Sequence, residues 1–162
     1  MTYIKAPFSY PLSIKAFHNC SATALSVNSV IKPQSNETLA GSPQCSITTS
    51  SGIISLPNTQ CLLIGSVTYR NYDWASYVRY RWYDNTNSQY IGSIGQIRGL
   101  DEDRYTSNTV GPISCDEEAI CIAQNIDVKL VVTGISSNDL YIDGSHSHDI
   151  YAGKTRLLVY EF

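Results

Sequence analysis

The chain has 162 residues, of which 43% are hydrophobic and only 15% charged, and 11 basic against 14 acidic side chains leave a net charge of −3. That length fits one domain, 1–162, and leaves little room for a second. The apolar content excludes a disordered chain, and the acidic balance lacks the basic footprint of a nucleic-acid-binding protein.

In chain order, the first segment is MTYIKAPFSYPLSIKAF. Lys5, Pro7, Ser9, Pro11, Ser13 and Lys15 interrupt every apolar run in it, so neither a secretory signal nor a membrane span is expected there or elsewhere. Residues 1–17 read equally as an extended arm, with Phe8 and Tyr10 as its contact residues, or as an ordinary first strand. Strands are predicted at 11–17 and 23–32. Residues 33–43 (PQSNETLAGSP) read as a surface loop bracketed by Pro33 and Pro43. Short strands follow at 44–49 and 52–56, then a longer one at 60–70, in which Cys61, Leu63, Gly65, Val67 and Tyr69 share one face. Val78, Tyr80 and Trp82 alternate with Arg79, Arg81 and Tyr83, and the turn formers Asp84 to Ser88 make 77–93 a hairpin with Tyr80 and Trp82 in the core. Residues 97–108, and Asp116 to Ala119, have room for one short helical turn each. Strands at 119–124, 127–133 and 155–162 complete the chain. The pattern predicts an all-β fold, a sandwich, barrel or jelly roll of about 8–10 antiparallel strands.

Cys20, Cys45, Cys61, Cys115 and Cys121 are odd in number and form no CxxC pair. They read as small buried hydrophobes in a reducing compartment. His146 and His148, at i and i+2 in a Gly-Ser loop, project to one side of an extended chain, which is a start for a metal site. A cupin-like site needs a further histidine, and His18 is the only other one, so a solvated loop is the preferred reading and no metal or other cofactor is expected. The carboxylates Asp101 to Asp103 and Asp116 to Glu118 lack both glycosidase and EF-hand patterning and read as solvated loops. GxSxG and P-loop motifs are absent, and Gly92-Ser-Ile-Gly95 falls short of GxGxxG. Among twelve tyrosines and two tryptophans, Tyr72, Trp74 and Tyr77 lie in or beside the polar stretch RNYDW, where a subunit contact or a ligand would use them.

The hairpin Tyr80-Arg-Trp-Tyr-Asp-Asn-Thr-Asn-Ser-Gln-Tyr-Ile-Gly92 resembles small virion proteins of tailed phages. The ending Asp149-Ile-Tyr-Ala-Gly-Lys-Thr-Arg-Leu-Leu-Val-Tyr-Glu-Phe162 resembles the last strand of tumour-necrosis-factor-like and complement-globular-head-like jelly rolls. The resemblance spans residues 50–162 and implies a jelly-roll β-sandwich that assembles as a homotrimer. It points to a non-enzymatic phage structural protein, a capsid decoration (cement) protein bound to the major capsid protein. The alternative is a receptor-binding knob on a head or tail fibre that recognises host surface glycan. In some trimeric phage fibres three His-x-His pairs meet on the threefold axis and bind iron, and His146 and His148 are the residues such a site would use here, against the preferred reading of a solvated loop. The expected location is the virion, after synthesis in the host cytoplasm, with no nucleic-acid or membrane partner.

Overall fold

The computed structural model describes residues 12–20, 25–67, 69–71, 77–98, 117–136, 140–142 and 155–162. Twelve strands and no helix lie among them. One five-stranded sheet, sheet I, has the order β2 (Pro33–Ala40), β1 (Ser13–Cys20), β12 (Arg156–Glu161), β5 (Cys61–Ser66), β9 (Ala119–Ala123). The other, sheet II, has the order β3 (Ser46–Thr48), β4 (Ile53–Ser55), β10 (Asp127–Ile135), β7 (Tyr77–Asp84), β8 (Gln89–Arg98). A short ladder joins β6 (Tyr69–Asn71) to β11 (Leu140–Ile142). All these pairings are antiparallel, and the chain passes directly between sheets I and II after β2, β4, β8 and β9, and by way of β6 and β11 after β5 and β10. This is an antiparallel jelly-roll sandwich, one of the architectures the alternating pattern allows and the one the resemblance implies.

Alternation decides which residues fill the space between the sheets. On β5, Cys61, Leu63 and Gly65 are buried, while Leu62, Ile64 and Ser66 are half-buried on the other face. On β7, Val78, Tyr80, Trp82 and Asp84 point inward. Cys61, Leu63, Val78, Tyr80 and Trp82 form one continuous core together with Phe17, Ile31, Ile54, Val67, Ile97, Leu130, Leu157 and Val159. Each large aliphatic side chain placed there contributes about 1.5–3 kcal/mol. The two predicted core aromatics are fully buried, and both have partners for their polar tips. The Trp82 indole donates to Ala119 O at 2.9 Å, and the Tyr80 hydroxyl donates to Glu117 O at 3.0 Å. Both bonds run from sheet II to the chain at the start of β9, so they tie the sheets together along one margin.

That margin is closed by a bend in β8. Arg81 pairs with Ile94 but Trp82 with Ile91, so Gly92 and Ser93 bulge out of the ladder. Gly92 takes a positive φ of 71°. A Cβ there would strike Ile120 O and Cys121. Ser93 Oγ accepts from Ile120 N–H at 2.8 Å, and Gln96 and Glu117 exchange two backbone bonds of 2.9 Å each.

The β7–β8 turn is held by Asp84, which accepts from the N–H groups of Thr86 and Asn87 and from the Asn87 side chain. Burial opposes its charge, but these bonds outweigh that and hold its carboxyl below the usual range.

Several expectations are corrected. Residues 33–40 are a strand, not a loop. β2 lies at a sheet edge and pairs only with β1, so its polar composition meets water. Pro33, as the first residue, and the charge of Glu37 suit an edge that must not recruit another strand. The described part of the predicted 23–32 strand is a turn followed by a single bridge, Val30 to Val131. Ser26 and Ser29 bond to each other and Asn28 has a φ of 73°, which diverts the backbone from a ladder. Glu117 and Ala119 lie in a bridge and a strand, not in a helical turn, because Gln96 supplies the backbone partner. The 60–70 segment is divided, β5 ending at Ser66 and β6 starting at Tyr69. Ile97 and Arg98 extend β8; residues 99–108 lie outside the described residues.

Candidate functional site

Of the contact residues picked out by sequence, Tyr77 is described; Phe8, Tyr10, Tyr72 and Trp74 lie outside the described residues, as do His146 and His148. Ser13–Phe17 belong to β1. Tyr77 opens β7, is 37% exposed, and has its ring 5.1 Å from the Arg79 guanidinium. Its backbone N–H donates to Ser136 Oγ at 2.7 Å.

The candidate surfaces are the two outer faces of the sandwich, and they differ in chemistry. On sheet I the strand register builds two rows across four strands. One row is Ile14, Tyr160, Leu62, Ile122; the next is Ala16, Leu158, Ile64, Ile120. Residues paired across strands share a face, and the neighbouring positions Phe17, Leu157, Gly65 and Ala119 are buried in the core. The two rows therefore place uncharged side chains on the outer side of the sheet: Ala16 is fully buried there, Ile14, Leu62, Ile64, Leu158 and Tyr160 are half-buried, and the face opens to solvent at β9. Ile120 is 42% exposed and Ile122 64%. Below these rows the face turns polar, with Arg156 opposite Ser66, and with His18 opposite Ser35. His18 Nδ1 shares a 2.9 Å hydrogen bond with Ser35 Oγ, and Nε2 lies 4.0 Å from Glu37.

Sheet II presents cations and rings instead. Tyr77, Arg79, Arg81 and Tyr83 occupy the outward positions of β7. Lys129 of β10 and Tyr90 of β8 pair with Tyr83 from either side. The Lys129 ammonium sits 5.0 Å from the Tyr83 ring, and the Tyr83 and Tyr90 rings meet edge to face at 5.2 Å.

The described thiols, Cys45, Cys61 and Cys121, offer no reactive centre. Burial pushes Cys45 and Cys121 up to about 12 and Cys61 up to about 11, with the neighbouring Glu161 carboxylate adding to the effect at Cys45 and Cys61. All three are free and buried, as expected of small core residues, and stay protonated at neutral pH. Among the described residues no group of three His, Cys, Asp or Glu side chains is placed to hold a metal ion.

The sequence reading missed the apolar rows. Their signal was present in Ala119-Ile-Cys-Ile-Ala123, where an antiparallel strand is apolar on both faces.

No family model matches the chain, and no curated protein matches it by sequence. The fold has clear counterparts among solved structures. Eiger TNF from S. frugiperda aligns with a TM-score of 0.58 at 9% identity, covering 94% of each chain. Murine APRIL at pH 5.0 aligns with a TM-score of 0.55 at 12% identity, covering 93% of this chain and 99% of that one. The chain thus has a tumour-necrosis-factor-like jelly roll along nearly its whole length.

Proposed function

We propose that the protein is a non-enzymatic structural protein that works as a homotrimer, and that its place is the surface of a phage head, as a capsid decoration protein. The observation that carries the assembly is the charge-free double row on sheet I, which leaves Ile120 and Ile122 exposed at β9 beside the half-buried Leu62, Ile64, Leu158 and Tyr160. An apolar sheet face of this kind is satisfied by a partner surface, and charges are depleted at the centre of such contacts. One heterologous contact repeated around a threefold axis closes at three copies. The tumour-necrosis-factor-like fold agrees with that symmetry, since the jelly rolls that the chain's ending resembles assemble in threes. The phage setting is supported by the resemblance of the Tyr80–Gly92 hairpin to small virion proteins.

Light scattering is expected to give three times the chain mass at micromolar concentration; a monomer there overturns the reading. For the setting, hundreds of copies per purified particle and loss of heat resistance in particles lacking the protein are expected. The second reading, a receptor-binding knob for host surface glycan, is favoured by the exposed Tyr77 beside Arg79. It predicts few copies per particle, retained heat resistance and lost adsorption to cells.

A further inference from the structure

The outward strip on sheet II is a built array of cations. Successive outward positions on a strand lie about 6.7 Å apart, so Tyr77, Arg79, Arg81 and Tyr83 form a line of about 20 Å. The order is ring, cation, cation, ring, and Lys129 adds a third cation over Tyr83. The cationic side chains are held in place. Arg79 Nε donates to Gln96 Oε1 at 2.9 Å, and Arg81 Nε donates to Gly92 O at 3.0 Å. Neither guanidinium has a further hydrogen bond to a described residue, and no described carboxylate lies within ion-pair distance of Arg79, Arg81 or Lys129. Asp127 and Glu117 are the carboxylates nearest in the strand register, one at the start of β10 and one beside Gln96. Three cations without a counter-charge among the described residues, in a chain of net charge −3, are a local inversion of the molecule's balance.

We propose that this strip binds an acidic polysaccharide, a polymer of sugar rings bearing carboxylate or sulfate groups. Guanidinium forks match such anions in a planar, bidentate way. Tyr77 and Tyr90, 37% and 40% exposed, offer ring faces to sugar C–H groups and hydroxyls to sugar oxygens. The sheet surface carries its charges in a line, which suits an extended polymer more than a compact ligand. Arginines already fixed at Nε lose little freedom on binding. Nucleic acid is disfavoured by the overall negative charge, because phosphate-backbone binding draws on a broad basic field. The inference deepens the glycan-binding reading, with which it shares the Tyr77–Arg79 pair, and is independent of the assembly reading: the strip belongs to one copy and to the sheet that does not carry the apolar rows. A trimer would add avidity without altering the site.

The test is binding of the full chain to immobilised heparin (sulfated) and polygalacturonate (carboxylated), with dextran as the neutral control. Binding to at least one acidic polymer, and none to dextran, is expected, and it should weaken as salt rises. The double variant Arg79→Gln/Arg81→Gln and the single variant Lys129→Gln should each lose affinity, by about tenfold per cation removed. Lys32→Gln, an exposed cation outside the strip, should bind as the parent does. Each variant's melting temperature is compared with the parent's, and Lys129→Gln decides the outcome should the arginine pair disturb β7. The proposal is overturned if neither acidic polymer binds, if single-stranded DNA binds more tightly than both, or if Lys32→Gln weakens binding as much as the strip variants.

Discussion

Glu161 sits in the last strand with its carboxylate turned into the sandwich, where only 6% of the residue meets solvent. Its oxygens accept from Gln44 N–H at 2.8 Å and from Cys45 N–H at 2.7 Å. The carboxylate thereby satisfies the backbone of the stretch that leads into β3, a segment with no strand partner for those groups. Lys15 strengthens the same corner by donating to Cys45 O at 2.9 Å. Replacing Glu161 with Ala leaves two inward N–H groups without an acceptor, at a cost of about 2–4 kcal/mol. Glu161→Gln keeps one amide oxygen and should cost less than half as much. Urea unfolding midpoints check both. Equal stability of parent and Glu161→Ala would mean that water reaches this corner. The sequence offered no hint of the role: period two places residue 161 inward with Leu157 and Val159, but charge argued for the surface. The conflict resolves only when the distant Gln44–Cys45 backbone is seen beside it.

At the scale of elements, legibility follows how strongly a strand's two faces differ. β7 and β12 alternate sharply and β10 does so as far as Leu130, and each was readable from periodicity. β2 was not, because an edge strand wetted on both faces has no apolar period to detect. β6 and β11 are three residues each, too short for any period. The two-residue bulge in β8 was hidden as well, although the glycines beside it mark its consequence. Gly95 lies opposite Tyr80, and a Cβ at that position would collide with the Tyr80 ring and with Ala119 N. The ring is pinned there by its bond to Glu117 O, so it has little room to yield. Gly95→Ala should therefore destabilise by about 1–3 kcal/mol through overpacking and weaken the β8–β9 closure. Hydrogen exchange of the Gln96 and Glu117 amides, which bond reciprocally, should rise in that variant more than exchange in β12. Uniform acceleration across the molecule would show a global loss without local opening.

At the scale of the whole molecule, the two outer faces give the sandwich a polarity that no single strand reveals. Sheet I turns Ile120, Ile122, Leu62, Ile64, Leu158 and Tyr160 outward; sheet II turns out Arg79, Arg81 and Lys129. If sister copies cover the first face, a charge placed on it must either be carried into the contact uncompensated or prevent the contact from forming. The first course costs several kcal/mol per charge, more than a marginal interface supplies. In the free chain the same charge costs little, because Ile120 and Ile122 already meet water. Ile120→Glu/Ile122→Glu should consequently convert the proposed trimer to a monomer with an unchanged circular dichroism spectrum. Its melting temperature should lose the concentration dependence that linked assembly gives the parent. A double variant that remains trimeric would move the interface off this face. One that unfolds with the parent's cooperativity but at a concentration-independent temperature would locate the molecule's extra stability in its neighbours.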